Sequence, residues 1–263
     1  MNLETICIKV IELTKQVASY INEERNRFSG FKVEAKGKHN FVTYVDKCAE
    51  ERIVKGLKKI IPDSGFIAEE GTISNDEKKY TWIIDPLDGT TNYIHGVPPY
   101  AISIALVKEN EIILGVVYEM VMDECFYSYE GAAAFMNQIP IRVSDIETVS
   151  ESLIATGFPY ENYDRMSSFM KTLDHFFNHS HGVRRLGSAA TDLAYVACGR
   201  YDAFYEYNLN SWDVAAGAFI VQQAGGKVSD FSGGDNFIFG KEIIASNNFI
   251  FHEFRNLISQ FMN

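Results

Sequence analysis

Asp85 and Asp88 stand in the stretch Trp82-Ile83-Ile84-Asp85-Pro86-Leu87-Asp88-Gly89-Thr90-Thr91-Asn92-Tyr93. Pro86 fixes its own φ and pushes Asp85 into an extended conformation. Gly89 permits a tight bend and a close approach to a ligand. A rigid turn of this kind brings the two carboxylates together. At about 4 Å, like charges repel by about 4 kcal/mol at an effective dielectric of about 20. A divalent cation relieves that repulsion, and all-oxygen ligation favours Mg²⁺, Mn²⁺ or Ca²⁺ over zinc. Thr90-Thr91-Asn92 reads as the opening of a short helix, whose free N–H groups favour an anion such as phosphate. A cation site beside a phosphate site points to metal-assisted phosphoryl transfer to water. An isolated Asp-x-x-Asp-Gly is more often an ordinary turn; the full stretch is far more specific than that fragment.

The elements that must position this turn are legible from periodicity. Tyr80 to Ile84 is aromatic, β-branched and apolar, and reads as a buried strand that runs out at Asp85. Ile6, Val10, Leu13, Val17 and Ile21 recur at helical spacing, which predicts an amphipathic helix over Leu3 to Arg27. A second helix spans about Asp46 to Ile60, with Thr43 or Asp46 as its cap. Phe66-Ile67-Ala68 is a short apolar strand closed by Glu69-Glu70-Gly71, an odd place for a casual surface charge pair. Strands over Ala101–Lys108, Ile112–Glu119 and Glu124–Tyr129, with one more near Ala132–Phe135, form an antiparallel meander. The chain crosses over in polar residues between Pro140 and Val149, which suggests two parts, residues 1–148 and 149–263. Beyond the crossover come a strand at Ser152–Ala155 and a helix over Asn162–Phe177. Gly187-Ser188-Ala189 then opens a helix, with Ser188 as a plausible N-cap. A strand at Asp202–Glu206 and an apolar helix from Trp212-Asp213 to Gln223 follow. Val228–Gly234 is a turn-rich return, Lys241–Ala245 a last strand, and a final helix runs to Phe261. The lysines of the polar stretch Lys32–Asn40 could reach an anionic ligand, although a solvated loop is the more ordinary reading.

Composition narrows the class. The 263 residues have an ordinary hydrophobic fraction of 46% and a net charge of −11. That charge argues against binding a nucleic-acid polymer. An acidic protein acting on an anionic phosphate needs local compensation, which bound cations supply. Cys7, Cys48, Cys125 and Cys198 form no zinc-like pair and read as buried free thiols. No basic leader opens the sequence and no stretch suits a membrane span, so the expected location is the cytoplasm.

The stretch Trp82–Tyr93 resembles the first signature of the inositol monophosphatase family, a group of lithium-sensitive, Mg²⁺-dependent phosphatases. Trp212 through Gly226 is similar to that family's second signature, and Phe41–Asp46 fits its Val-Thr-x-x-Asp segment. The resemblance covers nearly the whole chain in the family's order. It implies an α/β fold, the layered α-β-α-β-α sandwich of sugar phosphatases, with an antiparallel sheet in the N-terminal half and a mixed sheet in the C-terminal half. It implies that Glu69, Asp85, the Leu87 carbonyl, Asp88 and Asp213 hold two to three Mg²⁺ ions. Thr90 and Asp46 would orient the attacking water, with Glu70 behind them. Gly89, Thr90, Gly187, Ser188, Ala189 and Glu206 would contact substrate, Glu206 accepting from inositol hydroxyls. It further implies lithium inhibition and a homodimer. Asp213 alone would also suit a helix start, and Ser188 simple helix packing. The same apparatus serves fructose-1,6-bisphosphatases, 3′-phosphonucleotide phosphatases and NADP 2′-phosphatases. A non-enzyme alternative is a metal- or phosphate-sensing interaction protein, against which the intact ligand set and Thr90 argue.

Overall fold

Helices and sheets alternate in layers in the computed structural model, which describes residues 1–28, 44–73, 78–159 and 163–262. The Lys32–Asn40 stretch lies outside these residues. α1 (Leu3–Phe28) and α2 (Tyr44–Ile60) pack side by side, because each carries one apolar stripe. Val10, Val17 and Ile21 from α1 and Val45, Ala49, Ile53 and Leu57 from α2 are buried against the first sheet.

That sheet runs in chain order from β1 (Gly65–Ala68) and β2 (Tyr80–Asp88), which leads into the short α3 (Thr90–His95). β3 (Ala101–Lys108), β4 (Glu111–Glu119), β5 (Glu124–Tyr129), β6 (Ala134–Met136) and β7 (Ile139–Ile141) complete it. Its pairs are antiparallel except β1 with β2, which is parallel, so the first sheet is mixed at that edge and not wholly antiparallel as expected. Alternation divides its side chains between two cores. Trp82, Ile84, Ile102 and Ile104 face α1 and α2, whereas Ile83, Ala101, Ala105 and Val117 face the interior of the sandwich. Here β2 departs from the sequence reading. It continues past Ile84 to Asp88, with a register shift between Asp85 and Asp88 against β3. An irregularity of this type re-aims side chains next to a site.

The second half contributes β8 (Leu153–Thr156), α4 (Met166–His179), β9 (Gly182–Arg184), α5 (Ala189–Ala197) and β10 (Ala203–Tyr207). α6 (Ser211–Gln223), β11 (Lys227–Ser229), β12 (Glu242–Ser246) and α7 (Phe251–Met262) complete the chain. The second sheet has the order β11-β12-β10-β8-β9 and is mixed. α5 and α6 fill the layer between the sheets and are rich in Ala, which lets backbones approach closely. A Cβ on Gly115 of β4 would lie 2.8 Å from the carbonyl oxygen of Ala216. α4 and α7 cover the outer face of the second sheet with Phe169, Phe176, Phe254 and Ile258. Cys7 and Cys125 are buried and Cys48 and Cys198 half-buried, all as free thiols. Among the described residues no helix is long and apolar enough to cross a membrane.

Candidate active site

The bulged end of β2 meets the start of α6 between the sheets. Asp85 is buried, Asp88 and Asp213 are half-buried, and one carboxylate oxygen from each lies within 4.8 Å of the other two. Asp85 and Asp213 are held by local backbone N–H groups, and Asp88 by donors from the start of α5. Asp85 Oδ1 accepts the Leu87 N–H at 2.9 Å, which folds the Asp-Pro-Leu turn onto itself. Asp213 Oδ2 accepts the Asn210 N–H at 2.6 Å, the helix-capping role open to a carboxylate at that position. Asp88 Oδ2 accepts the Ser188 hydroxyl at 2.5 Å and the Ala190 N–H at 2.8 Å. The backbone of Gly89 and Ala189 also helps hold the pKa of Asp88 down. Thus Ser188, which the resemblance implied as a substrate contact, aims its hydroxyl at Asp88 in this structure. Ser188 is also the N-cap of α5, accepting from the Thr191 N–H.

Two glycines make the turn possible. Gly89 has φ +86, and a Cβ there would meet Pro99 O at 3.0 Å and Gly187 O at 3.2 Å. Gly187 has φ +92, and the two loops therefore touch backbone to backbone. Asn92 staples them further, its Nδ2 donating to Pro99 O and Leu186 O, both at 2.8 Å. Thr90 is half-buried, and its hydroxyl donates to Leu87 O at 3.0 Å.

A cavity of about 330 Å³ opens over these groups. Asp46, Glu69, Glu70, Asp85, Leu87, Asp88, Gly89, Thr90, Gly187, Ser188, Ala189, Glu206 and Asp213 all line it, so the structure brings every sequence-derived candidate to one place. Glu69 opens onto the cavity, and its carboxyl stands beside that of Asp85. Glu206 is buried at the far wall, and a Cβ on Gly157 would lie 2.0 Å from its carboxyl.

The electrostatics follow from crowding. Burial, then the Asp213 charge, pushes Glu69 up to about 8. Burial and Asp46 push Glu70 up to about 7. Burial and Asp88 push Asp213 to about 7. Burial and Glu69 hold Asp85 well above the carboxylate range. Asp88 reaches only about 6: burial raises it, but the Ser188 and backbone donors pull it down. Burial, followed by the charges of Asp192 and Asp213, raises Glu206. Carboxylates whose charged forms repel one another this closely suit a hard divalent cation with oxygen ligands.

Sequence reasoning missed three contributors. Asn92 lay inside the quoted stretch without a role. Asp192, buried in α5 with neither carboxylate oxygen hydrogen-bonded among the described residues, carried no signal beyond its place one turn after Ser188. Glu50 stands one helical turn after Asp46, and that spacing could have marked it.

A model of the Inositol monophosphatase family matches residues 2–261. An inositol-1-monophosphatase from Caulobacter vibrioides is 40% identical over 242 residues, covering 90% of this chain and 94% of that protein. The Nus factor SuhB of Pseudomonas aeruginosa is 42% identical over 226 residues, covering 84% of this chain and 83% of its own length. The crystal structure of the extragenic suppressor protein suhB from Bartonella henselae superposes with a TM-score of 0.91 at 35% identity, covering 97% of this chain and 99% of that one.

Proposed function

This chain belongs to the inositol monophosphatase family of phosphatases, and we propose that it hydrolyses inositol monophosphate to inositol and phosphate with Mg²⁺ as cofactor. The observation that carries this reading is the triangle of Asp85, Asp88 and Asp213 in one cavity with Thr90 and Glu206. Glu69, Asp85 and the Leu87 carbonyl would hold one Mg²⁺; Asp85, Asp88 and Asp213 would hold a second; a third would share Glu69. Bound there, Mg²⁺ supplies positive charge for the phosphoryl oxygens and acidifies water.

The remaining work belongs to side chains and backbone. Thr90 gives its proton to Leu87 O, so the lone pairs of its hydroxyl remain as acceptors for a water. Asp46, buried on α2 and facing the same cavity, orients that water from the other side, with Glu70 beside it as an acceptor for the departing proton. The start of α3 presents N–H groups to the phosphoryl oxygens. Glu206, on the opposite wall, accepts hydrogen bonds from the leaving polyol. In this reading residues 1–148 bring most cation ligands, and residues 149–263 bring Asp213 and the polyol wall.

Phosphate release should be measured with Mg²⁺ and with EDTA over inositol monophosphates, fructose 1,6-bisphosphate and NADP. The reading expects Mg²⁺-dependent turnover that is highest on inositol monophosphate, and inhibition by added LiCl. A preference for fructose bisphosphate or NADP would replace the substrate and leave the machinery. Phosphate and Mg²⁺ binding without turnover on any ester would make the protein a sensor.

A further inference from the structure

α2 carries two acidic residues one turn apart, Asp46 and Glu50, and of these Asp46 lines the cavity. Glu50 is fully buried behind it. Its carboxylate is nonetheless saturated with donors, and all of them come from one short segment. Oε2 accepts the Glu70 N–H at 2.7 Å; Oε1 accepts the Thr72 N–H at 2.8 Å and the Thr72 hydroxyl at 2.5 Å. Gly71, at φ +63, turns the backbone between the two N–H groups so that both converge on one carboxylate. Charge-assisted bonds of this kind are the strong ones, and they offset the cost of burying the carboxylate. On the other side of the segment, the Glu69 N–H donates to Ile84 O at 3.3 Å. Glu69 therefore sits between a sheet bond to β2 and a three-bond clamp to α2.

We propose that Glu50 is a positioning residue: it locks the Glu69–Thr72 segment onto α2 and so fixes where Glu69 and Glu70 reach into the acid end of the cavity. The inference rests on the cation reading given above. Glu50 lines no part of the cavity, so its effect reaches the cation through the segment it holds. Carboxylates already fixed in place bind a cation without the cost of ordering them, and groups that orient metal ligands are worth about tenfold to a hundredfold in affinity. Asp46 and the clamp share one rigid helix, which keeps the water-orienting carboxylate and the Glu69 segment in fixed register.

The test uses the full chain, with Mn²⁺ as the probe read by electron paramagnetic resonance in the absence of substrate. Glu50→Gln keeps the shape but turns an N–H donor against one of the backbone N–H groups it must accept. It should weaken Mn²⁺ binding about tenfold to a hundredfold, and raise the Mg²⁺ concentration for half-maximal phosphate release in parallel. Turnover at saturating Mg²⁺ should stay within a few-fold of wild type. Thr72→Ala removes one of the three bonds and should give a smaller shift of the same kind; the double variant should match Glu50→Gln, since both act on one clamp. A lower melting temperature with unchanged Mn²⁺ affinity would make Glu50 merely structural and overturn the proposal. Should Glu50→Gln not fold, unchanged Mn²⁺ affinity in Thr72→Ala overturns it equally. Failure of the wild-type protein to bind Mn²⁺ would instead sink the cation reading, and the two failures are distinguished by which protein shows them.

Discussion

The two ends of the cavity are built on opposite principles. At the acid end, Glu69, Asp85, Asp88 and Asp213 come from two strand ends and one helix start and face one another, and their charges are mutually unfavourable. At the other end, proposed to hold the polyol, Glu206 lies on the bare Cα of Gly157, and a Cβ there would lie 2.0 Å from its carboxyl. The acid end is thus governed by charge, which suits a cation. At the other end close packing sets the shape, and the Glu206 carboxyl also feels the charges of Asp192, Asp213 and Arg185. Changes at the first should act on turnover and cation affinity, and changes at the second on substrate choice.

The sharpest way to break this contrast is to remove charge at the acid end. Asp213→Asn and Asp88→Asn should lower turnover with Mg²⁺ by more than about a hundredfold, beyond what loss of a supporting group costs. Both should stay folded, and in EDTA Asp213→Asn should melt higher than wild type, because a repulsive charge has gone. Phosphate release and calorimetry check the two halves. Turnover near wild type in either variant would dissolve the distinction between the ends.

At the other end the expected change is smaller and selective. Gly157→Ala places a methyl group where the Glu206 carboxyl now lies, at 2.0 Å from an added Cβ. Glu206 must swing away and lose the hydrogen bonds proposed for it to the polyol. One charge-assisted bond is worth about 1.5–3 kcal/mol, or about tenfold to a hundredfold in KM for inositol monophosphate. Hydrolysis of p-nitrophenyl phosphate, which has no polyol, should barely move. An equal loss on both esters would mean that the wall supports the fold and not the substrate.

The contrast also explains what the sequence could reveal. Asp-Pro-Leu-Asp-Gly was legible as a local pattern whose chemistry depends on residue type, whereas Asp213 and Glu69 were marked as ligands only by the resemblance to the family, Trp-Asp alone suiting a helix start. Even there, β2 was expected to end at Ile84, because Pro86 reads as a stop; the strand instead absorbs it in a bulge. β7, Ile139-Pro140-Ile141, was hidden for the same reason, since a proline is tolerated on the edge strand it forms. β9 is three residues long and is defined by its parallel pairing with β8, which no periodicity announces. Asp192 was invisible, and Glu50 was marked by nothing but its spacing from Asp46, because their importance lies in burial and partners: a carboxylate on a helix reads as solvated until the tertiary structure covers it.

Proton linkage gives a weaker but cleaner probe of the acid end. Glu69 is pushed up to about 8, Asp213 and Glu70 to about 7 and Asp88 to about 6. In the cation-free protein these groups hold protons that the unfolded chain releases near pH 4. The folded state therefore binds more protons across about pH 4 to 8, and stability falls as pH rises through that window. Their contribution is fully present below about pH 4 and is lost once pH passes the value for Glu69. With EDTA, the melting temperature should drop by several degrees between about pH 5.5 and pH 8.5. With Mg²⁺, which competes with those protons, stabilisation should grow over the same range. The EDTA slope should be shallower in Asp213→Asn, which isolates the cluster from every other titrating group.

The smallest effect concerns the residue that joins the two halves, Ser188. Its hydroxyl donates to Asp88 Oδ2 at 2.5 Å, and its oxygen caps α5 through the Thr191 N–H at 3.3 Å. Ser188→Ala removes both bonds and the 2.7 Å contact with the Thr191 hydroxyl, yet Asp88 keeps the Ala190 N–H at 2.8 Å. Loss of the cap should cost about 1 kcal/mol, a fall of a few degrees in melting temperature. Loss of the donor leaves Asp88 less restrained and easier to protonate, so the Mg²⁺ requirement should rise by a few-fold and rise more at about pH 6 than at about pH 8. Ser188→Thr retains the hydroxyl and should recover both. If Ser188→Ala instead changes KM for inositol monophosphate at saturating Mg²⁺ and leaves the Mg²⁺ requirement alone, then Ser188 belongs to the polyol end, and the line between charge and shape must be redrawn on the other side of α5.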